Sequence, residues 1–428
     1  MRISTLQAFN NGVAGIQRNY SNATRTQEQI STGNRILTPA DDPVASVRLL
    51  QLEQQQNVLS QYNSNLTAAK NSLTQEEVTL NSVNTVLQRV RELAVQAGNG
   101  ALDPQDRKAI AAELGEREDE LLSLVNTRNA RGEYLFSGFQ GKTQPFVRGA
   151  DGSYSYRGDE GQRKLQVASS LNVPISDNGK SIFESVTNAG RLDSALATTP
   201  IGSTLRVSAP LVQDEVAFGA FPSAGVEVLF NNAPDERTYR VFEYGADTST
   251  AAPLATGSVD NDAAKSDKLV FAGVALQLDG TPVGGERAVV LPGKINVDTV
   301  TGAITTGAVA NKQGILGTIA SLRMALESPG TSNDGVRDAV AVALTNLDHG
   351  MVSVDQARGN IGARLNVIET TLTDNEDVAL VNKGVQAELR ELDYAEALSR
   401  LSMQTVVLEA AQQSYVKIAG LSLFNVMR

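Results

Sequence analysis

One apolar pattern near the N-terminus constrains the fold of this chain more than any other feature. After Asp42-Pro43, which supplies an N-cap acceptor and a proline at the first helical position, apolar residues recur every three or four positions to about Gln96. One acid, Glu76, stands in the same register. The spacing predicts a single helix of roughly 55 residues, about 80 Å long at ~1.5 Å per residue. The stripe consists of Tyr62, Leu66, Ala69, Leu73, Leu80, Val83, Leu87, Val90 and Ala94.

A second helix is predicted to run back along the first. The turn at Gly98–Gly100 ends the first helix, and Asp103-Pro104 repeats the signal of an N-cap acceptor followed by proline. We therefore expect an antiparallel return helix from Pro104 to about Arg128. Its apolar positions are Ile110, Leu114, Leu121 and Val125.

The middle of the chain has a different composition and predicts a different architecture. Nine of the 13 prolines and 19 of the 36 glycines lie in residues 141–311. These residues contain short alternating apolar runs, which predict β-strands, and Asp-Gly or Asn-Gly pairs, which predict turns. We expect a β-rich domain, divisible into lobes at 141–189 and 190–311. The runs are Tyr154–Tyr156, Val226–Phe230, Tyr239–Tyr244 and Val270–Leu278, and the turns are Asp151-Gly152, Asn178-Gly179 and Asp279-Gly280.

The two ends of the chain carry helical apolar stripes of their own. Such helices are marginal alone, because their stability comes from burying the stripe. The stripes could pack into the chain's own core, or they could pair with each other and with neighbouring copies in a polymer. Their place at the extreme ends, where chains are usually loosest, favours the polymer. The predicted assembly interface comprises Phe9, Val13, Ile16, Tyr20, Ile30, Tyr394, Leu398, Leu401, Leu408, Tyr415, Leu421, Leu423 and Phe424.

Charge and composition exclude several classes of partner. The formal net charge of −11 argues against nucleic acid or an anionic membrane, since either needs clustered positive charge. No segment has the ~20 apolar residues of a membrane-spanning helix. The chain has no cysteine, which excludes disulfides and thiol chemistry. The N-terminus lacks the apolar core of a Sec-type signal peptide, so we expect a protein that is cytoplasmic or exported with its N-terminus intact.

No catalytic, cofactor or metal site is predicted, and the chain is expected not to be an enzyme. His349 is the only histidine, so a zinc site with several histidines is excluded and a packing role on a helix is favoured. The Gly284-Gly285 pair lacks the lysine and the spacing of a phosphate loop. Three aspartates lack the glycine and final glutamate of a calcium loop, and four acids of the return helix are expected to form a solvated polar face. The three aspartates are Asp260, Asp262 and Asp267. The four acids of the return helix are Glu116, Glu118, Asp119 and Glu120.

Several motifs, in order along the chain, resemble the flagellin-like family. Gly132–Gly138 (GEYLFSG) and Gly420–Phe424 (GLSLF) are similar to the branch of hook–filament junction proteins, whereas Leu392–Ala395 (LDYA) is similar to flagellins themselves. The resemblance covers about the first 140 and the last 115 residues. The motifs that resemble the N-terminal region of the family are Met1–Thr5, Ser31–Arg35 and Pro39–Pro43.

The resemblance implies a fold and a set of partners. Family members pair their terminal helices in an inner tube, which is followed by a helical rod and an outward variable domain. An α+β multidomain fold is therefore expected, with a long coiled-coil rod and an inserted β-rich outer domain. Members are held by a flagellar export chaperone and leave through the type III export apparatus. Junction proteins then form a homo-oligomeric ring between hook-associated protein 1 and flagellin, outside the cell. The implied domains are 1–40 with 384–428, 41–140 with 312–383, and 141–311.

Two other functions remain open. The first is flagellin itself, the bulk subunit of the filament. The second is a secreted enzyme carried on flagellar helices through its variable domain, although the absence of histidine from 141–311 argues against metallopeptidase chemistry there. Residues from about Ala189 to Asn311 are more numerous than a minimal family member needs, which suggests an extra β subdomain.

Overall fold

The structure of the chain is a computed structural model that divides into two compact units. It describes residues 5–198, 200–260, 262, 265–298, 303–328 and 332–426, without the side chains of 5, 6, 8 and 418–426. The terminal unit comprises Met1–Thr67, Gln166–Leu171 and Ile368–Arg428. The central unit comprises Ala68–Leu165 and Asn172–Val367.

The described residues form seven α-helices, and two of these are far longer than the globular mean of ~11–12 residues. α2 has 55 residues and α6 has 58. The helices are α1 (Thr5–Thr32), α2 (Pro43–Ala97), α3 (Pro104–Val125), α4 (Glu215–Phe218), α5 (Ile315–Glu327), α6 (Asn333–Arg390) and α7 (Tyr394–Val426).

The limits of α2 agree with the sequence signals. The helix begins at Pro43, and Asp42 Oδ1 accepts a hydrogen bond of 3.0 Å from the Ala45 N–H, as an N-cap does. It ends at Ala97, one residue beyond the predicted end. The single long helix predicted from the stripe is therefore confirmed.

Helix α3 is the predicted antiparallel return helix. Gln75 of α2 donates to the Arg128 carbonyl at 3.2 Å, just beyond the end of α3, and Arg89 of α2 lies 2.8 Å from Glu113 of α3. The later residue of α2 thus contacts the earlier residue of this pair, so the two helices run antiparallel. The helix ends at Val125, three residues earlier than predicted. It ends there because the next side chain, that of Asn126, forms two hydrogen bonds of 2.9 and 3.0 Å with the backbone of Phe146.

The described part of the middle region contains short strands and one π-helical turn, Lys180–Glu184. The strands are β1 (Phe146–Arg148), β2 (Tyr154–Tyr156), β3 (Lys164–Gln166), β4 (Asn172–Pro174), β5 (Leu192–Thr198), β6 (Arg206–Val207), β7 (Leu211–Val212), β8 (Val226–Phe230), β9 (Thr238–Glu243), β10 (Ala255–Ser258), β11 (Asp267–Phe271), β12 (Val274–Asp279), β13 (Arg287–Pro292), β14 (Lys294–Val297) and β15 (Ile304–Gly307).

Two antiparallel sheets share one core in this β-rich region. One sheet has the strand order β10-β9-β8-β13-β5, and the other has the order β11-β12-β6, with β7 also paired to β12. Val228, Val241 and Val290 of the first sheet pack with Leu269 and Leu276 of the second.

Two of the predicted strand runs need correction. Val270–Leu278 is not one strand but a hairpin of β11 and β12, because Ala272 and Gly273 turn the chain with φ values of +42° and +74°. The run at Tyr239–Tyr244 corresponds to β9, which begins and ends one residue earlier. The runs Tyr154–Tyr156 and Val226–Phe230 are the strands β2 and β8, as predicted.

The chain enters and leaves the larger β lobe, residues 190–311, through two backbone segments that lie side by side. We call these two segments the base of the lobe. Thr187 and Lys312 form an antiparallel bridge, and the Asn188 N–H donates to the Asn311 carbonyl at 3.0 Å. Long helices from both ends of the chain with β structure inserted between them confirm the predicted α+β fold class. The three-domain division remains a prediction.

Candidate assembly interface

The described parts of α1 and α7 pack against each other as an antiparallel pair. The ring centroids of Phe9 and Tyr415 are 5.1 Å apart, and a Cβ on Gly12 would lie 3.1 Å from the Tyr415 ring. Far from this contact, where α1 has just ended and α7 is about to begin, the Leu392 N–H donates to the Gly33 carbonyl at 3.0 Å. The two terminal stripes of the sequence therefore meet within one chain.

The turn after α1 is fixed by local hydrogen bonds. Gly33 has a φ of +70°, and a Cβ there would lie 2.9 Å from the Tyr394 hydroxyl, so glycine alone fits without strain. The Arg35 N–H donates to the Arg390 carbonyl at 2.8 Å. Hydrogen bonds from the backbone of Thr38 and the residue before it hold the pKa of the Asp41 carboxyl below its usual value.

Pairing of α1 with α7 leaves much of the predicted interface uncovered. Four of its side chains remain about half exposed or more: Phe9 (49%), Tyr20 (63%), Tyr394 (53%) and Leu398 (55%). The side chains of Leu421, Leu423 and Phe424 lie outside the described ones. The half-buried members are Val13, Ile16, Ile30, Leu401, Leu408 and Tyr415.

Sequence reasoning missed further exposed apolar side chains in the terminal unit. They lie beside the predicted stripe of α7 and in the first turns of α2. A signal for them was available, because α7 carries apolar residues on more than one face and α2 begins with several in succession. In α7 these side chains are Met403, Val406, Val407 and Val416, and in α2 they are Val44, Val47 and Leu50.

The terminal unit also contains buried polar atoms that its own described residues leave without a hydrogen-bond partner. These atoms are Gln56 Oε1, Asn382 Nδ2, Gln386 Nε2 and Gln404 Oε1. A buried polar atom without a partner costs about 1–3 kcal/mol.

Two concave surfaces lie within this unit. A groove of about 710 Å³ separates α2 from α6 and is lined by Gln56, Leu59, Asn63, Leu380 and Lys383, among others. A smaller cleft of about 100 Å³ lies between α1 and α7. Both lie between helices and are open to solvent.

In the central unit, three of the four acids of α3 are exposed, as the sequence suggested, but Glu118 is not. The Glu118 side chain is completely buried, where it binds Arg148 at 2.5 Å and Arg323 at 2.9 Å and accepts a hydrogen bond from the Tyr154 hydroxyl. Burial alone would raise the pKa of the Glu118 carboxyl, but the hydrogen bonds from Tyr154, Arg323 and Arg148 outweigh it and hold that pKa below its usual value.

The other residues considered as chemical sites have structural roles. His349 lies on α6, as predicted, with its Nδ1 3.0 Å from the Thr187 carbonyl oxygen. Asp267 accepts a hydrogen bond from the Asp260 N–H at 2.9 Å. Nowhere among the described residues do three histidine, cysteine, aspartate or glutamate side chains gather so as to hold a metal ion. None of the helices described is long and apolar enough to cross a membrane.

Comparison with known proteins shows which class of protein this chain resembles. Residues 3–141 match the bacterial flagellin N-terminal helical region. A flagellin of Clostridium tyrobutyricum is 32% identical over 129 residues, which is 30% of this chain and 34% of the flagellin. The long helices and this match make the chain similar to flagellins over its N-terminal helical region.

Within that class, the chain is similar to flagellar hook-associated protein 3. That protein of Salmonella typhimurium is 35% identical over 188 residues, or 44% of this chain. The aligned stretch spans 58% of the relative's own length. The crystal structure of flagellar hook-associated protein 3 from Legionella pneumophila superposes with a TM-score of 0.63 at 25% identity, covering 79% of this chain and 98% of the other. The resemblance predicted from the sequence motifs is therefore confirmed.

Proposed function

We propose that this chain is a structural subunit of the bacterial flagellum that joins the hook to the filament, and that it is not an enzyme. The observation that carries the proposal is the α1–α7 pair, whose apolar stripes meet each other yet leave Phe9, Tyr20 and Leu398 exposed. Large exposed apolar surfaces on a soluble chain mark sites of interaction. The likeness to hook-associated protein 3 in both sequence and fold supports a junction rather than another kind of polymer.

The partners follow from this function. The chain would form a ring with its own copies, placed between hook-associated protein 1 and flagellin. Before assembly, a flagellar export chaperone would cover the apolar face of α7, and the type III export apparatus would then carry the chain out of the cytoplasm. The interface proposed for the ring and the chaperone is the predicted set of residues in α1 and α7, joined by Met403 and Val406, which are 71% and 61% exposed.

Flagellin itself is the second candidate, since the N-terminal match includes that family. Abundance distinguishes the two functions. A filament subunit dominates the protein mass of sheared filaments, whereas a junction subunit is a trace component that stays with the hook. Quantitative mass spectrometry of sheared filaments and of hook preparations tests this directly. The proposal is wrong if this chain is the main component of the filament fraction.

Substitution in α7 tests the interface. Leu408→Asp places a charge on the half-buried stripe, and it is expected to abolish stable junctions, so that flagellin accumulates unpolymerised in the culture medium. Glu409→Gln is the matched control, because Glu409 is the adjacent, exposed residue of the same helix. If the Leu408→Asp variant is exported at wild-type levels and the strain builds normal filaments, α7 is not part of the interface.

A further inference from the structure

Among the described side chains of the central unit, one buried carboxyl has no ion-pair partner. Glu76 is 1% exposed and stands in the apolar stripe of α2 between Leu73 and Leu80, both of which are completely buried. Its Oε1 accepts a hydrogen bond of 3.2 Å from the Asp177 N–H. Among the described side chains, no lysine, arginine or histidine forms an ion pair with it. An ionised carboxylate in such a place is costly unless it is paired.

The charged groups around Glu76 are already committed to other partners. Both terminal nitrogens of Arg364, from α6, bind the Asp177 carboxylate at 3.0 and 2.9 Å. Arg163 donates to Glu133 at 2.6 Å instead. Ionisation of Glu76 would therefore place a second negative charge beside Asp177. Burial, and then the charge of Asp177, raise the pKa of the Glu76 carboxyl to about 8.

The segment that carries Asp177 is tethered at several points near this carboxyl. One turn before Glu76 on α2, the Ser72 hydroxyl donates to the Ile175 carbonyl at 2.9 Å. Arg364 ties the same segment to α6 through Asp177. Residues 175–177 thus connect two long helices, and Glu76 lies at the centre of the connection.

We propose that Glu76 is a proton-operated latch, which holds residues 175–177 against α2 and α6 while its carboxyl is neutral and releases them when it ionises. Release would put the carboxylate in water, where its pKa returns to the ordinary value near 4.5. The closed state is therefore favoured most strongly below pH 4.5, and it loses stability as the pH rises towards 8. Between pH 7 and pH 9 the equilibrium constant for opening is expected to rise roughly tenfold.

Amide hydrogen exchange over residues 172–180, corrected for the intrinsic effect of pH, measures this opening. In the wild-type chain, protection of these amides is expected to fall roughly tenfold between pH 7 and pH 9. In Glu76→Gln the side chain can still accept the Asp177 hydrogen bond and cannot ionise, so protection should change less than about twofold. Glu77→Gln removes the neighbouring acid of the same helix and should behave as wild type.

The same tenfold response in Glu76→Gln, or none in wild type, would overturn the latch. If Glu76→Gln does not fold, Asp177→Asn gives a second test. That change removes the competing anion and frees Arg364 to pair with Glu76, so the response to alkaline pH should shrink or disappear. A response equal to wild type in Asp177→Asn would likewise overturn the proposal.

Discussion

The helices of the central unit bury leucines, whereas the first and last helices of the terminal unit bury, among their described side chains, only small or polar ones. Leu80 and Leu87 of α2 and Leu114 and Leu121 of α3 are inaccessible to solvent. Burial of a leucine contributes about 1.5–3 kcal/mol relative to exposure. The described side chains that α1 buries are Ala23, Thr26 and Gln29, and the one that α7 buries is Ala397.

Under the proposed function, this difference would separate folding from assembly within one chain. The central unit has a core of its own, so its stability is expected to be independent of other subunits. The α1–α7 pair has little apolar burial to offset the conformational entropy that its ordering costs, and its larger apolar side chains remain partly exposed. Contacts with other subunits would supply the missing burial.

Proteolysis should reveal the largest effect of this difference. In the free monomer, a protease is expected to remove roughly residues 1–40 and 385–428 and to leave about 45–380 intact, because weakly packed helices open most often. Mass spectrometry of the fragments identifies the cleavage sites. Equal protection of both ends, in a chain that light scattering shows to be monomeric, would contradict the comparison.

Leucine truncation tests the two cores directly. Leu80→Ala in α2 is expected to lower the free energy of unfolding by about 2–5 kcal/mol, because it leaves a cavity in a closed core. Leu408→Ala in α7, at a half-buried position, should lower it by less than about 1 kcal/mol in the monomer. Urea denaturation of both variants gives the two values, and equal losses would show that α7 belongs to the same cooperative core.

The buried carboxylate of α3 should contribute less than a core leucine and should do so in a pH-dependent way. Glu118→Gln is expected to lower the free energy of unfolding at pH 7 by about 1–3 kcal/mol, because it weakens the charged hydrogen bonds to Arg148 and Arg323. The pKa of this carboxyl is lowered by folding, so its contribution is present above about pH 4.5 and is lost as the pH falls through the folded-state pKa.

Denaturation of the Glu118→Gln variant and of wild type from pH 3 to pH 7 measures this dependence. The two stabilities should converge towards the acid end of the range. Glu120→Gln, which removes an exposed ion pair with Arg117, should cost no more than about 1 kcal/mol. A difference between Glu118→Gln and wild type that stays constant with pH would mean that the charge of Glu118 is not what stabilises this site.

The smallest effect is expected for removal of the larger β lobe. Because Asn188 and Asn311 are hydrogen-bonded neighbours, residues 190–310 can be replaced by a short glycine linker without separating the helices. The variant should be exported and should still build junctions, although it loses the ion pair between Asp279 and Arg337. Motility and flagellin in the medium are the measurements. Export of the variant without filament formation would make the lobe part of the assembly mechanism.

The sequence predicted those features that depend on local signals. The N-cap and proline at Asp42-Pro43 and the regular stripe were sufficient to locate α2 almost to the residue. The hairpin in Val270–Leu278 was missed because Ala272 adopts a positive φ, which an alanine rarely does and no sequence pattern indicates.

The buried acids were harder to predict, although a signal was present. Glu118 lies four residues after Leu114 and three before Leu121, so it occupies the apolar stripe of α3 rather than its polar face. Its neighbours in sequence are charged, and that composition suggested exposure. The arginines that compensate its charge lie 30 and 205 residues away, so no local pattern could have identified them. The assembly interface stays a prediction for a related reason, since the partners proposed for it would lie in other chains.

The bridge between Thr187 and Lys312 also bears on how such chains can diverge in length. Two backbone segments that leave a helical body side by side can be joined by few residues or by many, because the entropy of closing a loop grows only slowly with its length. The superposition with the protein from Legionella pneumophila covers 98% of that protein but only 79% of this chain. This is what we expect if this chain carries residues that the other protein lacks. At such a base, evolution or an engineer can exchange a whole domain for another while the helices keep their sequence and their packing.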